Sequence, residues 1–152
     1  MNSSTGQSSQ AGSVILEAMI AILIFSIGIL GLIGMQAAAV NNVSDAKYRA
    51  DASFLADQIV GQMWASRVAV TTAGVTSYAI DPTYAWNVPG ATPNPIVTAW
   101  AANGVAAYLP NASAVVSIAA GQQNVTVMIS WLPPRSPAGT APHVHTVNSN
   151  IF

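Results

Sequence analysis

From Ser13 to Met35 the chain is almost unbroken hydrocarbon: SVILEAMIAILIFSIGILGLIGM, interrupted by two serines, three glycines and one acid. At 1.5 Å per residue these positions make a helix of about 35 Å, enough to cross a hydrocarbon core of about 30 Å. The run is too long, and lacks the basic flank, for a cleaved secretory signal. Beyond Gln36 the chain turns polar without meeting a helix breaker until after Ser66. Tyr48, Ala52, Leu55, Ile59 and Met63 recur at helical spacing as one apolar stripe, with the charges mostly off it. The expectation is a single helix of about 50–55 residues, membrane-bound in residues 13–35 and amphipathic in residues 36–67.

The pattern then changes. Residues 71–95 are dense in Thr, Gly, Pro and Asn and read mainly as loop. Asn94-Pro95 opens IVTAWAANGVAAYL, a short helix with proline at its first position, closed by Pro110-Asn111. Ala114–Ala119 and Val125–Trp131 are β-branched runs joined by Gly121-Gln-Gln-Asn124, which predicts a hairpin. Val125, Val127, Ile129 and Trp131 alternate with Thr126, Met128 and Ser130, the pattern of a half-buried strand. After a Pro/Gly-rich stretch from Pro133 to Pro142, His143–Val147 adds a third strand. The fold class expected is α+β: a long N-terminal helix packed by its distal half on a small antiparallel sheet, with residues 68–152 as a small head.

Charge narrows the functional classes. Charged residues make up 6% of the 152 positions and the formal net charge is −1, so nothing marks nucleic acid as a partner. Asp45, Lys47, Arg49, Asp51, Asp57 and Arg67 crowd one stretch, leaving Asp81 and Arg135 for the last 85 positions. The absence of cysteine excludes disulfides, thiolate metal sites and cysteine nucleophiles. No GxSxG, paired carboxylates or phosphate loop is present, so no catalytic site and no cofactor are expected. His143 and His145 share a strand face, but without a visible third ligand they read as surface histidines rather than a metal site. Trp100 and Trp131 read as core anchors. Trp86, in a Pro-rich loop, is balanced between core and binding surface. Gly28, Gly31 and Gly34 fit either close helix packing or a stretch able to unwind.

Glu17 is the exception within the apolar run. A carboxylate in hydrocarbon costs about 2.5–3.5 kcal/mol even on lenient scales, which makes an intramembrane acid a functional hypothesis by default. No Lys or Arg of this segment can reach it, so its cationic partner must come from elsewhere.

A small polar leader ending in Gly12, followed by an apolar helix with glutamate fifth from Ser13, resembles the prepilin signal of type IV pilins and type II pseudopilins. ILIFSIGILGLIGMQ, the stretch Ala50–Met63, the Trp-containing helix ending in Leu109-Pro110 and the closing VTVMISW together resemble the minor pilins of the type IV pilus modification protein (PilV) family. The likeness covers most of residues 12–132. It implies a leader of residues 1–12, cut between Gly12 and Ser13 by a prepilin peptidase that then N-methylates Ser13. It further implies insertion in the bacterial inner membrane with the head periplasmic, then assembly with other pilins through the N-terminal helix. In that family the intramembrane acid, here Glu17, pairs with the N-terminal amine of a neighbouring subunit.

Two departures stand against the pattern. Ser13 takes the place of the usual large apolar first residue, and the leader carries no Lys or Arg. Under the positive-inside rule Lys47 and Arg49 would then draw the head side toward the cytoplasm. Either dedicated targeting overrides the rule or the coding start lies upstream of Met1, and the second is the expectation. The rival readings are a minor pseudopilin of type II secretion and a membrane-anchored binding module whose helix stays uncleaved.

Overall fold

The computed structural model describes residues 10–119, 121 and 123–151; the greater part of the expected leader, residues 1–9, lies outside them. Helix α1 runs from Gln10 to Ala65, 56 residues, close to the length that the apolar run and the stripe imply. The chain divides into two compact units, one ending at Ser44 and the other beginning at Asp45. The division falls within α1.

The unit from Asp45 onward is built around the distal stripe of α1. Ala52, Leu55, Ala56, Ile59 and Met63 are all buried, with Tyr48 packed partly against the same core. Opposite them lies a three-stranded antiparallel sheet of β3 (Ser113–Ile118), β4 (Asn124–Trp131) and β5 (His143–Asn150), in that order. In β4, Val125, Val127, Ile129 and Trp131 are buried while their neighbours are exposed or half-buried, as the alternation requires. Val127 stands opposite Val116 on one side and Val147 on the other. This register brings the buried residues of the central strand against the helix stripe, and Ile151 closes the core after β5. An α+β architecture with a long N-terminal helix on a small antiparallel sheet is therefore present.

Between α1 and the sheet the chain makes a second helical stretch. Helix α2 (Pro95–Ala99) continues into a π-helical turn at Trp100–Val105 and ends in α3 (Ala106–Tyr108). Asn94 caps it: its Oδ1 accepts from the Val97 N–H at 2.9 Å, and Pro95 follows where no N–H acceptor is needed. Trp100 Nε1 donates to the Leu55 carbonyl at 2.9 Å in the buried interior. A Cβ at Gly104 would stand 3.1 Å from Leu55 Cδ2, so glycine lets this stretch approach α1 closely. The π turn was not legible in the sequence; such turns require one wider loop of backbone, not a distinct residue pattern.

Residues 71–95 correct the expectation of mainly loop. β1 (Val68–Thr72) and β2 (Val75–Ala79) form an antiparallel hairpin of their own. The two residues between them, Ala73 and Gly74, both have positive φ, 54° and 80°, the geometry of the tight turns that match strand twist. Alanine is a poor occupant of that geometry, so the turn gave no Asn-Gly or Asp-Gly signal. The rest of the stretch is held by specific contacts. Asp81 Oδ1 caps a 3-10 turn at Pro82–Tyr84 by accepting from the Thr83 N–H. Trp86 exchanges both backbone hydrogen bonds with Val116, at 3.0 Å each, and its side chain is half-buried against the core. Trp100 and Trp131 are buried at 5% and 1% exposure, as core anchors must be.

Candidate assembly helix

Through residues 12–43 every side chain of α1 is exposed. The apolar ones do not form a stripe. Val14, Leu16, Met19, Ile22, Phe25, Leu30 and Met35 point around the whole circumference, each more than half exposed. A helix hydrophobic all round needs an apolar environment on all sides, and the described residues of its own unit supply none. Among the described residues this one helix is long and apolar enough to cross a membrane.

Glu17 sits in that helix with its side chain exposed. Among the described residues it makes no hydrogen bond and no ion pair; the only ion-pair contacts, Arg49–Asp45 and His143–Asp45, belong to the other unit. Ser26, the other polar side chain of the run that bonds, donates to the Ile22 carbonyl one turn back at 2.7 Å. That hydroxyl is satisfied inside the helix and makes no demand on a partner. Glu17 has no such local solution.

Gly12 and Ser13 lie in the first turn of α1 as described, with Gly12 the third residue of the helix. Gly28, Gly31 and Gly34 are helical throughout, and a Cβ at any of them would meet nothing within 4 Å. No packing within the chain requires them to be glycine.

The strand histidines correct the expectation of a surface pair. His143 and His145 are half-buried on the face of β5 that also carries Val147 and Ser149. His143 Nδ1 stands 3.1 Å from Asp45 Oδ1, and its ring lies 5.7 Å from that of Trp131. Asp45 could not be paired with His143 from sequence, since 98 positions separate them and only the tertiary placement of β5 beside α1 joins them. Elsewhere, the groove of about 560 Å³ between Trp86, Pro93, Ala101 and Ala114 is lined by small apolar residues with Asn87 and Ser113. It offers no titratable group for acid–base work. No family model, curated protein or solved structure matches this chain.

Proposed function

We propose that this protein is a minor pilin, inserted in the bacterial inner membrane by the first half of α1 and assembled into a type IV pilus through that helix. The observation that carries the reading is Glu17: an acid without a partner among the described residues, in a helix segment that is apolar and exposed on every side. Both features have one solution in a bundle of such helices. Neighbouring helices cover the apolar surface, and the amine created by cleavage between Gly12 and Ser13 supplies the cation. Mutual attraction in low dielectric then offsets much of the desolvation of the two charges, and the pairing sets the register between subunits. Prepilin peptidase is the processing partner, Ser13 the N-methylated residue, and the remaining partners are other pilin subunits. The head, facing the periplasm before assembly, is carried to the cell surface on the fibre.

Recovery of the protein in fibres sheared from the cell surface tests the reading. The pilin reading expects it to co-sediment with them. Absence from fibres, combined with a loss of protein secretion when the gene is deleted, would instead assign the same helix to a pseudopilus.

A further inference from the structure

We propose that the outer edge of β5 receives an extended segment of another fibre subunit, which adds a fourth strand to the sheet. The register fixes which backbone groups face outward. The Ile151 N–H donates to the Gln123 carbonyl at 2.7 Å. By the alternation of an antiparallel ladder, Ser149, Val147, His145 and His143 then exchange their backbone bonds with β4. The N–H and C=O groups of Val144, Thr146, Asn148 and Asn150 point away from the sheet. Among the described residues nothing pairs with them.

The opposite edge of the same sheet is closed. Trp86 exchanges both backbone bonds with Val116 of β3, and Asn87 Nδ2 donates to the Ala114 carbonyl at 3.3 Å. On β5 the side chains that could fold back over the edge are turned inward instead. Asn148 Oδ1 accepts from the Thr126 hydroxyl and Asn150 Nδ2 donates to Asn124 Oδ1, both on β4. Exposed strand edges are ordinarily blunted by charge, proline or a bulge. HVHTVNSN holds no Lys, Asp, Glu or Pro, and its pairing with β4 runs without a break.

A row of alternating N–H and C=O groups is complementary to one kind of ligand, another extended backbone. The core also thins toward this edge: Val127 and Ile129 are fully buried, whereas Val147 and His145, opposite them on the same face, are half-buried. A fourth strand covers them. The choice of occupant rests on the pilin reading. A symmetric antiparallel β5–β5 pair has its two-fold axis normal to the sheet, which reverses every direction lying along it. It would point the Asp45 ends of the two α1 helices in opposite directions, whereas subunits anchored in one membrane present them the same way. The strand therefore comes from a different subunit.

Hydrogen–deuterium exchange of the full-length protein reads the edge directly. In detergent extract the amides of Val144, Thr146, Asn148 and Asn150 should exchange freely while their alternates are protected. In sheared fibres the same amides should slow by at least about tenfold. Thr146→Pro removes an outward N–H and no bond to β4. It should melt within a few degrees of wild type yet enter fibres about fivefold less, the effect of one backbone hydrogen bond. Val147→Pro, which breaks a bond to Val127, should lower the melting temperature instead. A photoreactive thiol reagent on Thr146→Cys, in a chain with no other cysteine, should cross-link β5 to a different pilin subunit. Unchanged exchange in fibres that contain the protein, normal incorporation of Thr146→Pro, or a cross-link to a second copy would overturn the added strand and leave the pilin reading intact. Absence of the wild-type protein from fibres would overturn both.

Discussion

Glu17→Gln is expected to leave membrane insertion intact and to remove the protein from fibres. The substitution keeps the length of the side chain and takes away its charge. Insertion becomes easier, because a neutral amide costs less in hydrocarbon than a carboxylate. Assembly becomes harder, because the neighbouring amine that would have paired with Glu17 is left buried and uncompensated. Breaking one side of a buried pair costs about 3–5 kcal/mol, on the order of a 10²- to several-10³-fold loss in incorporation at about 1.4 kcal/mol per tenfold. Quantitative immunoblotting of membrane and sheared-fibre fractions reads both halves of this expectation. Equal amounts of mutant and wild type in fibres would remove the role given to Glu17.

The second large effect is expected in the head. Trp131 is 1% exposed at the end of β4, with its ring against His143 and the buried core around it. Trp131→Ala should cost about 3–5 kcal/mol through lost burial and the cavity left behind. That is a large share of the 5–15 kcal/mol typical of a folded domain. Trp131→Phe should cost far less than the alanine change, because Trp131 Nε1 is buried without an acceptor and its loss breaks no hydrogen bond. Trp100→Phe reverses this logic. It removes the bond from Nε1 to the Leu55 carbonyl, a net loss of about 0.5–1.5 kcal/mol beyond the change in volume. Tryptophan fluorescence during thermal unfolding ranks the three variants. Trp131→Phe melting as low as Trp131→Ala would show that the indole does more there than fill space.

The parts of the fold that were legible in the sequence are those where one physical demand dominates. The apolar run and the Tyr48–Met63 stripe fix α1, because period and hydropathy agree over its length. Alternation in Val125–Trp131 reveals β4 and its buried face, and Asn94-Pro95 marks the helix start through capping geometry. The β1–β2 hairpin was hidden because its turn, Ala73-Gly74, uses a residue that rarely accepts positive φ. The approach of Asp45 to His143 was hidden for a different reason. It depends on tertiary placement of β5, which no local pattern encodes. Gly12, Ser13 and Glu17 were picked out by spacing alone, and all three lie on α1. What the structure adds is that Glu17 finds no partner within the described chain and that the helix around it is left uncovered.

Assembly through a pair of charges makes Glu17 dependent on Gly12, because the matching amine exists only after cleavage. Intact-mass spectrometry of the protein extracted from membranes and fibres therefore tests the account most directly. The account predicts a mature chain beginning at Ser13 and heavier than its sequence by one methyl group, roughly 14 Da. A chain that retains residues through Gly12, with an unmodified N terminus, would contradict it and leave a membrane anchor with an unexplained acid.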